Sequence, residues 1–106
     1  MSWNIVLKPE AQEDFDALDG SQKDFVVKGL NKAKRNPLPK QEGGFGETLG
    51  NKNGLDLTGC LKIKLKKPGI RIIYQLEKTA ENMNVIVIGM RAESAVYKEA
   101  ARRLGR

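Results

Sequence analysis

An α+β fold is predicted, a small antiparallel β-sheet packed at one side on an N-terminal helical hairpin, in the order β-α-α-β-β-β-α. Two observations carry it. Apolar residues recur at helical spacing between Ala11 and Ala33, whereas from Leu61 onward they alternate with lysines, and Pro68-Gly69 cuts the alternating stretch in two. A chain of 106 residues with 40% hydrophobic content can bury one core, so residues 1–106 are read as a single domain.

The elements follow in order. Trp3 to Leu7 reads as a short strand, and Lys8-Pro9 opens a helix, since proline's fixed φ and missing N–H suit a first helical turn. Ala11, Phe15 and Leu18 give that helix one apolar side, and Asp19-Gly20 ends it. Ser21, with Asp24 three residues on, resembles a capping box for a second helix. Phe25, Val26, Leu30 and Ala33 form its stripe, and Asn36-Pro37 stops it. Residues 37–59 hold two prolines and six glycines with little periodicity, which predicts a long loop with room for one short extended piece. Gly44-Phe45-Gly46 fails the spacing of a phosphate loop: the next glycine is Gly50 and no Gly-Lys-Ser/Thr follows, so these glycines are read as loop residues.

In the stretch "CLKIKLKKPGIRIIYQL", Leu61, Ile63 and Leu65 alternate with Lys62, Lys64 and Lys66, giving one apolar and one cationic face. Ile70 to Leu76 returns as a second strand. Pairing Lys67 with Ile70 would set Lys66 opposite Arg71 and Lys64 opposite Ile73, with Arg71 on the lysine face. Glu77 to Asn84 is a polar turn, Asn84 to Met90 a further strand, and Ala92 to Leu104 a last helix.

Charge is unevenly placed. Residues 1–59 hold 8 Lys/Arg and 9 Asp/Glu, net −1, whereas residues 60–106 hold 11 and 4, net +7. No acidic residue lies between Leu57 and Leu76, so the cationic face implies an external polyanion. One cysteine, no signal-peptide pattern and no long apolar run predict a cytoplasmic protein without membrane association.

The absence of histidine removes the commonest general acid–base group and the usual serine triad, and with one cysteine no metal or cofactor site is expected. Lys, Arg and Tyr remain. They suit metal-free cleavage of RNA by its own 2′-hydroxyl, which needs a base, fixed positive charge for the phosphorane and a proton for the leaving 5′-oxygen. A lysine pKa near ~10.4 is depressed by neighbouring cations, which makes a neutral amine accessible.

That run, followed by "VIVIGMRAESAVYKEAARRL", resembles the RelE family of ribosome-dependent messenger RNA interferases, the toxins of toxin–antitoxin pairs. The resemblance is strong from Cys60 to Leu104; the first strand and helical hairpin agree in pattern and order. It implies a toxin that enters the ribosomal A site against 16S ribosomal RNA, cuts the bound codon, and is silenced by an acidic cognate antitoxin. It also implies roles. Lys62 and Lys64 match the lysines that serve as base and phosphate contacts, Arg71 the arginine that stabilises the transition state, and Arg91 the arginine assigned to leaving-group protonation. Tyr97 matches the tyrosine that orients the 2′-hydroxyl; Lys52, Lys66 and Lys67 are expected to bind RNA. An arginine pKa above ~12 suits Arg91 better to fixed charge than to proton donation. The family's arginine directly before a glycine is missing from "LGNKNGLDLTG", where Lys52 is the one cation.

Plainer readings stand beside these. Edge-strand lysines discourage aggregation, Arg71 can pair with Glu77 and Arg91 with Glu93, and Tyr97 shares helical spacing with Ala101 and Leu104 as a core residue would. Tyr74 and Met90 are assigned to packing, and Cys60 to a small buried hydrophobe. Two other functions stay open: a ParE-like gyrase-inhibiting toxin, against which the joint presence of Lys62, Lys64, Arg71, Arg91 and Tyr97 argues, and a non-catalytic RNA- or ribosome-binding protein, which would not need Tyr97.

Overall fold

A computed structural model describes residues 3–52, 54–65, 69–90 and 93–106, with backbone only for Lys52 and Glu93. Strand β1 (Asn4–Leu7) leads into helices α1 (Pro9–Asp16) and α2 (Gly20–Ala33), then a short 3₁₀ turn (Lys40–Glu42) and strands β2 (Glu47–Lys52), β3 (Leu55–Leu65), β4 (Ile70–Glu77) and β5 (Asn82–Gly89), closing with helix α3 (Glu93–Arg103). The α+β class and the succession of elements agree with the sequence pattern. The sheet adds one strand and one direction. Its order is β1-β5-β4-β3-β2, with β1 parallel to β5 and every other pair antiparallel.

Pro9 occupies the first turn of α1 as its geometry favours. The cap of α2 lies two residues before the expected one. Asp19, not Ser21, accepts from the Gln22 backbone N–H at 2.8 Å, and Gln22 answers with its side chain to the Asp19 N–H at 2.9 Å. Ser21 instead donates to the Asp19 carboxylate. Val26, Leu30 and Ala33 of α2 are buried, but Phe25 is 44% exposed, because it sits about 100° around the helix from Val26, off the stripe.

Alternation in β3 and β4 builds two cores, one on each side of the sheet. Leu61, Ile70, Ile72, Tyr74, Met83, Val85 and Ile88 pack under α1 and α2. Cys60, Ile73, Ile86 and Val87 pack under Val96, Tyr97, Ala100 and Ala101 of α3. Helices therefore cover both faces and not one side alone. A shift in the β4–β5 ladder between Ile73 and Tyr74 sends the consecutive residues Ile86 and Val87 to the same side. Met90 is 42% exposed instead of packed: it follows the end of β5, past the reach of either core. Among the described residues no helix is long and apolar enough to cross a membrane.

Candidate active site

The β3–β4 register differs by two residues from the expected one. Leu65 pairs with Ile70, so Lys64 lies opposite Arg71 and Lys62 opposite Ile73. A shift of two leaves the parity unchanged, and Arg71 remains on the lysine face. That face lies under α3. The hairpin side of the same two strands takes Leu61, Ile63, Leu65, Ile70 and Ile72.

Lys62 is only 8% exposed, with Tyr97 of α3 and Glu47 of β2 both against its ammonium. Its Nζ donates to the Tyr97 hydroxyl at 3.0 Å while lying 5.7 Å from the ring centroid, so the ammonium meets the ring at its hydroxyl end. Tyr97 is itself 4% exposed, packed with Val96, Ala100 and Ala101. The ring of Tyr97 is core, as its helical spacing suggests, and its hydroxyl meets the Lys62 ammonium. Arg71 is half-buried and turns one guanidinium N–H to the Gly69 carbonyl at 2.9 Å, not to Glu77. Lys64 is exposed, directly opposite Arg71. Lys66, Lys67 and Arg91, expected at the site, lie outside the described residues, as does the side chain of Lys52. The Lys52 backbone pairs with Leu55 at the far end of β2 from Glu47.

The cationic face has a counter-charge that the sequence reading missed. Glu47 pairs directly across from Lys62, and its carboxylate lies 3.3 Å from the Lys62 Nζ and 3.1 Å from the Lys40 Nζ. Lys40 first, then Lys62, hold the Glu47 carboxyl below the usual carboxylate range. Residues 37–59 carry no strand period beyond room for one short extended piece, so nothing local in the sequence brings an acid to Lys62. The β2–β3 ladder breaks between Thr48 and Gly50, and Gly59 opposite takes φ 86°, so no simple alternation marks β2. Its one signal was the Glu-Thr-Leu triplet after three glycines.

Helix α3 is fixed at its C-terminal end. Arg103 grips Asp14 of α1 with both terminal nitrogens, at 2.7 and 3.0 Å, and donates to the Ile86 carbonyl at 2.8 Å. Asp14 also accepts from the Ile88 N–H. Asp14 hydrogen bonding raises the Arg103 pKa. The helix that carries Tyr97 is thus pinned to the hairpin past the sheet edge. Cys60 is 1% exposed beneath α3, where burial pushes its thiol up, as suits a packing residue.

Chemically, the face offers clustered cations, a phenol hydroxyl and one carboxylate, which together can bind a phosphate and move protons at its oxygens.

No model of a protein family matches the chain. It is similar to the mRNA interferase toxin RelE of Escherichia coli K12, 42% identical over 45 residues, which are 42% of this chain and 47% of that one. It thus spans about half the length of that relative. A putative RelE-like toxin protein of Escherichia coli is 28% identical over 105 residues, covering 98% and 99% of the two chains. Among solved structures, a free mutant of the E. coli toxin RelE superposes with a TM-score of 0.72 at 24% identity, over 98% of this chain and 99% of the other. The toxin in the intact E. coli RelBE toxin–antitoxin complex gives 0.66 at 22% identity, over 87% and 100%. The chain is RelE-like in sequence and in fold.

Proposed function

We propose that this RelE-like chain is the toxin of a type II toxin–antitoxin pair, a metal-independent endoribonuclease of the cytoplasm that cuts messenger RNA in the ribosomal A site. The observation that carries the reading is the convergence of Lys62, Lys64 and Arg71 on one face with the Tyr97 hydroxyl hydrogen-bonded to Lys62. In the reaction the RNA 2′-oxygen attacks its own phosphorus and the bond to the 5′-oxygen breaks, leaving a 2′,3′-cyclic phosphate and a 5′-hydroxyl. Lys62, already a donor to Tyr97 and paired with Glu47, serves as fixed charge at the phosphate. The exposed Lys64 takes the 2′-proton, and Arg71 meets the phosphorane with a planar fork. Tyr97 orients the 2′-hydroxyl, Arg91 stands as fixed charge at the leaving 5′-oxygen, which takes its proton from water, and Lys52, Lys66 and Lys67 hold flanking phosphates.

Fixed cations bind phosphate strongly and transfer protons poorly, so alignment of the 2′-oxygen with the phosphorus must come from outside. The ribosome supplies it. The net +7 of residues 60–106 calls for an acidic partner, and likeness in fold to the E. coli RelBE toxin–antitoxin complex supports an antitoxin in that place.

Induced expression with primer extension on a translated message tests the reading. Expected are growth arrest and cuts within translated codons, feeble cutting of naked RNA, and indifference to chelators. Arrest with intact message would favour the gyrase-directed reading, and efficient metal-dependent cutting of naked RNA would sink the mechanism.

A further inference from the structure

The Gly44-Phe45-Gly46 triplet, unexplained by the proposed chemistry, sits beside it. Residues 36–46 form an arch closed by backbone hydrogen bonds from Phe45 to Asn36, Gly46 to Leu38 and Lys40 to Gly46. A Cβ at Gly44 would overlap the Leu38 carbonyl, and one at Gly46 would overlap the Tyr74 hydroxyl and Leu61, so both positions accept only glycine. The Tyr74 hydroxyl, donating to the Pro37 carbonyl at 2.7 Å, locks the arch to the core. The result is an ordered backbone that holds one phenyl ring outward, 41% exposed.

The ring borders a cavity of about 280 Å³ between α2, the arch and β3 beyond its pairing with β2. Lys32, Lys40, Lys62 and Lys64 line it, and the Lys32 Nζ lies 5.4 Å from the Phe45 centroid. Among the described residues Glu47 is the one acid in the lining, and it is already engaged by Lys40 and Lys62. An aromatic ring set among cations, continuous with the lysines of the candidate site, fits a nucleobase with its phosphates.

We propose that this cavity is a nucleobase subsite in which Phe45 stacks on a base of single-stranded RNA flanking the cut, with Lys32 and Lys40 at the adjoining phosphates. The proposal rests on the reading of the chain as an RNA-cleaving protein and names a contact beside its chemistry. Bases of any identity stack, so the subsite positions the strand without reading sequence.

The test is fluorescence anisotropy with a labelled, uncleavable 2′-O-methyl hexanucleotide, and thermal melts as a folding control. Phe45→Ala should weaken binding about 5- to 150-fold, the range of one base–aromatic stack. Phe45→Trp should match or exceed the wild type, whereas Phe45→Leu, apolar without a π-face, should bind like Phe45→Ala. Inorganic polyphosphate, which has no bases, should bind all four proteins alike. Restoration by leucine, equal losses for polyphosphate, or unchanged RNA binding with loss of a co-purified protein partner would each overturn the subsite. Because no cleavage is read, Phe45-dependent binding by a protein that leaves translated message intact would instead remove the nuclease reading and keep the subsite.

Discussion

The two faces of the sheet, built from alternate residues of the same strands, are held by different physics. Under α1 and α2 every inward residue of β4 is apolar, with Ile70, Ile72 and Tyr74 at 0% exposure. Under α3 the apolar patch of Cys60, Ile73, Ile86 and Val87 meets a helix packing chiefly through alanines, one valine and one tyrosine, and gives way at one end to Lys62, Lys64 and Arg71. What the second face lacks in apolar surface it replaces with ion pairs between α3 and α1. One face can then be optimised for burial while the other keeps desolvated cations, which an apolar core would not tolerate unpaired.

The largest expected effect separates the faces at adjacent residues. Ile72→Ala should cost about 2–5 kcal/mol in urea melts, through lost burial and the cavity left behind. Arg71→Ala, one residue earlier and on the other side, should leave the melt nearly in place and lower single-turnover cleavage on programmed ribosomes by ~10²–10³, the usual loss for one preorganised donor. If Arg71→Ala unfolds the protein while its cleavage per folded molecule persists, the division of labour is wrong.

Next comes the ion-pair anchor. Arg103 has 12% of its side chain exposed and Asp14 20%, so Arg103→Ala should destabilise by up to about 3 kcal/mol, measured by the same melts. Rotating α3 off the sheet would also take Tyr97 from Lys62, so cleavage should fall with stability. A smaller, separable change is Tyr97→Phe, which keeps the packed ring and removes the hydroxyl. Its melt should stay within about 1 kcal/mol of wild type while cleavage drops. Equal cleavage by the two proteins would reduce Tyr97 to a core residue. Smaller again is Glu47→Gln, which removes the counter-charge of Lys62 and Lys40: RNA binding at low salt should tighten a few-fold with a steeper salt slope. Weaker binding would mean that the carboxylate organises the site instead of masking it.

The apolar face was legible because it rests on short-range alternation, and Leu61 to Leu65 with Ile70 to Tyr74 fixed both its strands and the side on which Arg71 falls. Much of the second face was not. Glu47 reaches Lys62 through a strand containing glycine and a ladder shift, and Asp14 reaches Arg103 across the whole chain, so neither pairing leaves a local trace. The parallel β1–β5 contact is equally silent, since no hairpin turn announces it. The cationic residues were found by chemistry, with histidine absent, and by likeness, but which groups surround them is long-range information.

The smallest expected effect tests the ion pairs within α3, which orient the two arginines that reach α1. Glu99 accepts from Arg102 at 2.6 Å and from Arg103 at 2.7 Å, and these two bonds, that of Arg102 foremost, bring its carboxyl down to about 2. The folded value is depressed, so the stabilisation is complete above the unfolded carboxylate range near ~4.3 and is lost as pH falls from there through about 2. The Glu99 side chain is 34% exposed and that of Arg102 59%, so water screens the pair and the effect should be modest and weakened by salt. Tm measured from pH 6 to pH 2.5 should therefore fall for the wild type by slightly more than for Glu99→Gln, the two curves converging at the acid end. Parallel curves would show that the Glu99 pairs contribute nothing, leaving the pairs of Arg103 with Asp14 and of Arg102 and Arg103 with Glu10 to hold α3 to α1.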